Sequence, residues 1–313
     1  MTAPHSLPRR LADVDIRLIR VFCGVVKCGG MAAAELELNI GRSTISRHVK
    51  DLEQRIGVTL CHRGRAGFSL TSEGRHVYRA AQQLLAALDH FQGELSELRG
   101  RLTGQLSLAL FDKTVTNPKA QVHQAVARFH DAAPDVDIDI HVEPVNDIER
   151  HVIEGGYLLG IIPTHRNSSS LAYLPLFDEQ MYLYCSADHS LAARSSRPSK
   201  AEILAQKYAG MGFHSPNMEV GSRLGWQRSA TAYDQEAVAT LILSGRYVGF
   251  LPDHYAAYFV QQGRMRRLGG SEFQYRCQFA AVYRRSPQPS RLLSAFLQSL
   301  REAHSPGESP GPV

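Results

Sequence analysis

The most informative segment of the chain is Gly41-Arg-Ser-Thr-Ile-Ser-Arg-His-Val-Lys-Asp-Leu-Glu53. It predicts a helix with two unlike faces, which begins at Ser43 and continues to about Ile56. Apolar residues recur at three- and four-residue spacing along one face, at Ile45, Val49, Leu52 and Ile56. The other face is polar or basic and carries Ser43, Thr44, Ser46, Arg47, His48 and Lys50, with Arg42 just before them. Such side chains can contact base edges and phosphates in the major groove of DNA. Any surface helix has a polar face, so the neighbouring segments decide between the two interpretations.

Two helices are predicted before this one. Apolar spacing predicts a helix from Asp15 to Lys27, and an alanine-rich segment predicts a short helix from Met31 to Leu38. The tight turn Asn39-Ile-Gly-Arg42 then leads into the third helix. Two short helices joined by a turn that contains glycine are typical of a helix-turn-helix.

A β-hairpin wing is predicted after the third helix. The segments Val58–Leu60 and Phe68–Leu70 alternate as short strands, and the loop Cys61–Gly67 joins them. Arg63 and Arg65 in this loop are expected to contact phosphate or the minor groove.

A long helix is predicted from Ser72 to Arg99, with Thr71 as its N-cap. Its apolar residues form a heptad seam: Val77, Ala81, Leu84, Leu88, Phe91, Leu95 and Leu98. The seam either packs on the body of the chain itself or pairs with a second copy. Beside a DNA-binding segment we favour dimerisation, because dimeric readers bind two symmetric half-sites.

The excess of positive over negative charge is confined to this part of the chain. The stretch from Arg9 to Ala80 has 13 Lys and Arg against 7 Asp and Glu, whereas the remainder has 22 against 23. The asymmetry indicates a polyanionic partner for the first quarter, although a solvated basic face would have the same composition.

The 313 residues allow two or three domains, with 43% hydrophobic and 21% charged residues. We find neither a membrane-spanning apolar run nor a secretory signal, and expect a cytoplasmic protein. The five cysteines are odd in number and include no C-x-x-C pair. They indicate buried thiols rather than disulfides or a zinc site, and a redox switch has no motif to support it.

Residues 104–304 are predicted to form an α/β domain, because strands alternate with helices, which favours a parallel sheet. The predicted strands are Gln105–Phe111, Val136–Val142, Leu158–Ile162, Gln180–Ser186, Tyr208–Gly212, Tyr247–Leu251 and Phe273–Arg284. The predicted helices are Asn117–Ala132, Asp147–Glu154, Lys200–Ala205, Glu236–Leu243 and Ser290–His304. Ligands bind such sheets at strand carboxyl ends, which here are followed by the loops Phe111–Val115, Pro163–His165, Gly212–Ser215, Tyr233–Gln235 and Pro252–His254.

Four segments together resemble the signature of LysR-type transcriptional regulators: Met31–Ile40, Gly41–Glu53, Ile56–Leu60 and Leu70–Gly74. The order and length of the chain are also similar to that family. The sequence departs from its pattern where Gly30 and Gly41 replace serine, Glu35 replaces alanine, Cys61 replaces phenylalanine and Leu158 replaces aspartate.

The resemblance implies a winged helix-turn-helix at 13–71, a linker and dimerisation helix at 72–103 and an effector-binding domain at 104–304. The last would resemble type 2 periplasmic-binding proteins, with one lobe at 104–163 and 271–304 and the other at 164–270. The segments 1–12 and 305–313 are expected to be disordered. The implied partners are double-stranded DNA, RNA polymerase, further copies of the chain, as dimer or tetramer, and a small effector, for which a carboxylate fits. The expected effector contacts are Lys113, Thr114, Thr116, Thr164, His165, Phe213, His214, Asp234 and Pro252.

Two other classes of protein fit less well. An enzyme would need a nucleophile, phosphate-binding or metal motif, and the sequence has no G-x-S-x-G, P-loop, H-E-x-x-H or G-x-G-x-x-G. A constitutive architectural DNA-binding protein would not need two hundred residues of α/β sequence. We therefore predict a ligand-responsive regulator with no catalytic residues, no cofactor and no metal.

Overall fold

A computed structural model describes residues 12–64, 67–97, 102–192, 197–212, 216–286 and 288–305. The chain divides into two compact units, Met1–Phe91 and Gln92–Val313. Both terminal segments predicted to be disordered lie almost entirely outside the described residues. No helix in the described ranges is long and apolar enough to cross a membrane.

The N-terminal unit consists of four helices and a two-stranded hairpin. Its elements are α1 (Asp13–Lys27), α2 (Ala34–Leu38), α3 (Arg42–Ile56), β1 (Cys61–Gly64), β2 (Gly67–Leu70) and α4 (Ser72–Glu97). Phe22 and Val25 of α1 pack in one core with Ile45 and Val49 of α3, and all four are fully buried. The predicted helix-turn-helix is therefore present. Its second helix begins at Ala34 rather than Met31, since residues 31–33 form a turn.

Two local features accompany the packing of the first three helices. Asn39 adopts a left-handed backbone conformation with φ of 50° in the turn before α3. Asp15 of α1 is 5% exposed and accepts hydrogen bonds from Nε and Nη2 of Arg55 near the end of α3. Arg55 holds the pKa of Asp15 below its ordinary value. Arg55 is thus a structural residue of the unit.

The first strand of the wing lies later than predicted. It covers Cys61–Gly64 instead of Val58–Leu60, and Cys61 pairs with Leu70 in an antiparallel hairpin. The carboxylate of Glu53 accepts the backbone N–H groups of Leu60 at 2.8 Å and of Cys61 at 3.3 Å. The chain before the strand is therefore bound to α3 and unavailable for pairing.

The corner between the wing and α4 depends on Gly74. The hydroxyl of Thr71 accepts the backbone N–H of Gly74 at 2.8 Å and so caps α4. A Cβ atom at Gly74 would lie 1.8 Å from the carbonyl oxygen of Leu60. Only glycine allows this close approach between helix and wing.

The C-terminal unit contains one mixed sheet with helices packed against it. Its strands are β3 (Gly104–Leu110), β4 (Val136–Val142), β5 (Leu159–Pro163), β6 (Leu171–Ser186), β7 (Tyr208–Met211), β8 (Arg228–Ala232), β9 (Val248–Pro252), β10 (Met265–Leu268) and β11 (Gln274–Arg284). Its α-helices are α5 (Val122–Ala132), α6 (Val145–Glu154), α7 (Lys200–Leu204), α8 (Pro216–Arg223), α9 (Gln235–Leu243), α10 (Asp253–Gln261) and α11 (Arg291–His304). Short 3-10 turns cover Thr114–Thr116 and Ser271–Phe273.

The prediction of a parallel sheet is correct only at the two ends. The strand order is β4-β3-β5-β11-β6-β9-β7-β8, and β10 also pairs with β6. β3 is parallel to β4 and β5, and β7 is parallel to β8 and β9. At the centre, β6 and β11 are antiparallel to each other, and they join the two parallel groups, as a two-lobed domain requires.

Several boundaries differ from prediction for identifiable reasons. β6 begins at Leu171, nine residues before the predicted start at Gln180. The prediction missed this first half because Pro175, Asp178 and Glu179 interrupt its apolar alternation. α5 begins at Val122, because a turn at Thr114–Thr116 and further turns occupy the predicted start. The elements α8, β8, α10 and β10 were not predicted.

Candidate nucleic-acid interface and effector cleft

The polar face of α3 is largely accessible. Arg42, Ser43, Arg47 and Lys50 are exposed, and Thr44 and Ser46 are half-buried. A helix that reads a DNA groove must expose such side chains. The DNA contacts themselves stay predictions.

His48 is an exception to the predicted face. It is 8% exposed and lies with Ile45, Val49 and Leu52 on the buried side of α3. Its Nδ1 atom has no hydrogen-bond partner among the described residues. The assignment of His48 to the DNA-facing side is wrong in this structure, because its position follows the apolar stripe at i+3 from Ile45. The spacing of the apolar residues was enough to place His48 on the buried face, but its polar side chain led to the opposite assignment.

The wing tip is only partly described. Arg63 lies in β1 with its Cα opposite that of Phe68. The side chain of Arg63 and the whole of Arg65 fall outside the described residues. Their contact with phosphate or the minor groove stays a prediction.

Burial varies along the heptad seam of α4. Ala81 is buried in the core of the N-terminal unit, and Val77 and Leu84 pack against that core. Ala81 is therefore not available to a second copy, whereas Val77 and Leu84 are half-buried and their assignment to dimerisation stays a prediction. Further along, Leu88 is half-buried and Phe91 is 56% exposed, whereas the side chains of Leu95 and Leu98 lie outside the described residues.

The loop after β3 meets the N-terminus of α9. Nζ of Lys113 lies 2.7 Å from Oε2 of Glu236 and 5.1 Å from the centre of the Tyr255 ring. Asp112 accepts the backbone N–H of Gln235 at 2.7 Å. Asp234 caps α9 by accepting the backbone N–H of Ala237. The loop that carries Lys113 thus meets the start of α9 that Asp234 caps, and one ion pair and one hydrogen bond join the two parallel groups of strands.

Asp112 has an unusual environment. Burial raises its pKa to about 7, and the negative charges of Asp234 and Glu179 act in the same direction. The N–H of Gln235 and the charge of Lys113 oppose the shift only in part. Its Oδ1 atom is buried and has no partner among the described residues. Sequence reasoning missed Asp112 because it searched these loops for donors to an anion.

The predicted threonine donors are occupied by the protein itself. Thr114 is 3% exposed and donates to the carbonyl of Phe111 at 2.6 Å. Thr164 donates to the carbonyl of Gln278 at 2.9 Å. These two hydroxyls position their loops in this state, which corrects the expectation of free donors.

Thr116 belongs to a chain of polar contacts across the cleft. Its hydroxyl lies 2.8 Å from the carbonyl oxygen of Lys113 and 2.8 Å from Nδ1 of His254. Nε2 of His254 lies 3.0 Å from Oε2 of Glu179, which is 4% exposed. Burial raises the pKa of Glu179. The chain links the turn after β3 to β6 through the start of α10.

The remaining predicted cleft residues have mixed outcomes. The side chain of His165 is 1% exposed, and its Nε2 lies 3.9 Å from a carboxylate oxygen of Glu149 in α6, so the ring is not presented to a ligand here. Pro252 ends β9 and precedes α10. Phe213 and His214 lie outside the described residues. A cavity of about 510 Å³ lies beside α6, where Glu149, Arg150 and Arg166 line it.

Comparison with known proteins agrees with both the helix-turn-helix of the N-terminal unit and the α/β sheet of the C-terminal unit. A family profile described as bacterial regulatory helix-turn-helix protein, lysR family, matches residues 16–75, and the LysR substrate binding domain matches residues 99–305. The chain belongs to the LysR family. This LysR-family protein is a DNA-binding transcription regulator with an effector-binding domain, and the enzyme hypothesis is set aside.

The relatives and solved structures extend over nearly the whole LysR-family chain. The HTH-type transcriptional activator BauR of Pseudomonas aeruginosa is 40% identical over 292 residues, which cover 93% of this chain and 96% of BauR. The regulator CbnR has a TM-score of 0.63 at 18% identity and covers 93% of this chain and 99% of its own. A full-length OxyR variant from Pseudomonas aeruginosa has a TM-score of 0.62 at 18% identity, with 96% and 100% covered. At such identity these two structures show the fold.

The thiols of this LysR-family protein give little support to a redox switch. None of the five cysteines, all of which lie in the described ranges, forms a disulfide, and Cys61, Cys185 and Cys277 are buried. Burial raises the pKa of Cys23 to about 12 and that of Cys185 to about 11. Thiols with raised pKa values are protonated near neutral pH and react slowly.

Proposed function

We propose that this regulator binds a two-fold symmetric operator through α3 and activates transcription in response to a small effector held between its lobes. The observation that carries the DNA half is the exposed face of α3, where Arg42, Arg47 and Lys50 surround the accessible Ser43. Activation is inferred from BauR, which is named as a transcriptional activator. RNA polymerase would be contacted at the promoter, and the place of action would be the cytoplasm, where bacterial DNA lies.

Self-association is assigned to the distal part of α4. Phe91 is 56% exposed on an otherwise amphipathic helix, and Leu88 precedes it by three residues on the same seam. An exposed aromatic at a heptad position is expected to pack against a second copy of the helix. Dimerisation would place two α3 helices on two half-sites.

The effector is assigned to the cleft between the end of β3 and the start of α9. Lys113 is the donor best placed to receive a carboxylate there, because its Nζ already binds the carboxylate of Glu236 at 2.7 Å. An effector carboxylate would replace Glu236 and so loosen one contact between the lobes. A ligand that changes one contact in this way shifts the balance between two conformations.

Selection of bound sequences from a random DNA pool, at fixed salt, tests the DNA half. Half-sites about one helical turn apart, or a multiple of it, are expected from a dimeric reader. Recovery of no sequence preference would contradict the proposal, since only charge-driven binding would remain.

The recovered operator then tests the effector half. A reporter gene placed behind the operator should respond to an effector in the wild type and lose that response in Lys113→Met. A matched control is Lys119→Met, which removes the same charge from an exposed position after the turn. An equal response in Lys113→Met and in the wild type would exclude Lys113 as the carboxylate ligand.

A further inference from the structure

Two buried acceptor atoms lie on adjoining residues of the cleft. Asp112 accepts the backbone N–H of Gln235 at 2.7 Å through Oδ2, but its other oxygen, Oδ1, has no donor among the described residues. Gln235 is 3% exposed, and its side-chain Oε1 is also buried without a donor in the described part of the chain. Buried acceptors without donors are uncommon because each loses its hydration. A hydrogen-bond donor from outside the described residues would stabilise both atoms.

The charges around these atoms are predominantly negative. Asp234 and Glu179 both act electrostatically on Asp112, and Glu236 lies next to Gln235 in α9. Against them stands Lys113, whose Nζ is bound to Glu236. His254 is engaged between Thr116 and Glu179. A ligand that brought only another carboxylate would add negative charge and leave both acceptors unpaired.

We infer that the effector is an amino carboxylate, whose protonated amine binds the carboxylate of Asp112 and the side-chain oxygen of Gln235. The inference rests on the proposed function, in which Lys113 takes the carboxylate end. An ammonium group has three donors and no acceptor, so it can donate to the carboxylate of Asp112 and has further donors to offer the side-chain oxygen of the adjoining Gln235. Its positive charge also offsets the surplus of carboxylates, and charge-assisted hydrogen bonds of this kind are the stronger ones.

Binding of an amine should release a proton. The raised pKa of Asp112, about 7, means that its carboxyl group is partly protonated at neutral pH. A bound ammonium stabilises the ionised form, so the proton leaves as the ligand binds. The charged and titratable groups that act on Asp112 are Lys113 on its own loop, Asp234 before α9, Glu179 on β6 and Tyr255 on α10. Two further groups lie one contact away, since Glu236 is paired with Lys113 and His254 with Glu179. A monocarboxylate would raise the pKa of Asp112 and take a proton up instead.

Titration calorimetry on the full-length protein at pH 7, in two buffers of different ionisation enthalpy, measures both binding and proton exchange. The probes are straight-chain compounds of two to six carbons in three sets: primary amines, monocarboxylates, and amino acids with the amine at either end. The variants are Asp112→Asn and Gln235→Met, with Asp137→Asn on β4 as an exposed control for loss of a carboxylate. Circular dichroism confirms that each variant is folded.

We expect at least one amino acid to bind with release of part of a proton. Asp112→Asn should weaken it tenfold or more and abolish the proton release, Gln235→Met should weaken it less, and the control should bind as the wild type does. Binding of monocarboxylates alone, unchanged in Asp112→Asn, would overturn this inference and leave the proposed cleft intact. Binding of none of the three sets would contradict the cleft and the amine together.

Discussion

The carboxylate of Glu35 in α2 accepts a hydrogen bond from the backbone N–H of Arg42, the first residue of α3, at 2.6 Å. The N-cap of α3 is Gly41, which has no side chain to accept the N–H of the second or third helical residue, Ser43 or Thr44. The carboxylate of Glu35 binds the N–H of the first helical residue from a neighbouring helix, and a serine at position 41 would add an acceptor for one of the next two. The negative charge of Glu35 also interacts favourably with the partial positive charge at the N-terminus of α3.

Glu35→Ala is expected to loosen the start of α3. Loss of a capping acceptor costs about 1 kcal/mol, and Gly41→Ser in the same background should recover part of it. The serine fits, because a Cβ at Gly41 would meet nothing within 4 Å. Native-state hydrogen exchange of the α3 amides measures the effect. Protection in Glu35→Ala equal to that of the wild type would show that the carboxylate does not cap the helix.

Arg47→Ala should weaken specific operator binding by about 5- to 100-fold, because a guanidinium reading a base contributes about 1–3 kcal/mol of discrimination. Lys50→Ala should instead weaken binding to all sequences and lower the salt slope by about one. Titrations at several salt concentrations separate the two effects. Arg128→Ala, an exposed arginine on α5, removes the same charge elsewhere and should change neither quantity. Wild-type affinity and specificity in Arg47→Ala would remove this residue from the interface.

The sequence was sufficient where structure depends on near neighbours. The apolar spacing of Ile45, Val49 and Leu52 placed α3 within one residue of its observed start. His48 was misplaced because its polarity was given more weight than its position on that same stripe. The strand-end rule named the loop after β3 and the loop before α9, which do meet, but the acidic residues at that contact were missed. Asp112 and Gln235 are 123 positions apart, so only the folded sheet shows that they meet.

Leu88→Asp is expected to disrupt assembly, because it places a charge in the part of the α4 seam not used by the unit's own core. Sedimentation at micromolar concentration should show a shift towards monomer. Ala87→Asp, one residue earlier and exposed, should leave the profile unchanged. Ala81→Asp should lower the stability of the N-terminal unit, since Ala81 is 4% exposed in its core. An unchanged profile for Leu88→Asp would indicate that assembly uses another surface.

Asp112→Asn should stabilise the C-terminal unit in a pH-dependent manner. Burial raises the pKa of Asp112 from 3.8 to about 7, so between these values the folded chain retains a proton that the unfolded chain has lost. The free energy of unfolding of the wild type therefore falls as pH rises from about 4 to 7. The asparagine of the variant could still accept the N–H of Gln235 but could not ionise. The advantage of the variant should be small near pH 4 and reach at most about 4 kcal/mol above pH 7. The single tryptophan, Trp226, reports unfolding of this unit, and an advantage independent of pH would contradict the shift.

Gly74→Ala should destabilise the N-terminal unit by about 1–3 kcal/mol or more, because its Cβ would lie 1.8 Å from the carbonyl oxygen of Leu60. Backbone cannot move aside as a flexible side chain does, so the wing would separate from α4. The phosphate contacts predicted for the wing would depend on that corner, so DNA affinity should fall together with the melting temperature. Gly41→Ala is the matched control, since a Cβ there has open space at a φ of −64°, and it should cost less than about 1 kcal/mol. Equal melting temperatures for the two variants would mean that the close approach of Gly74 to Leu60 does not hold the wing in place.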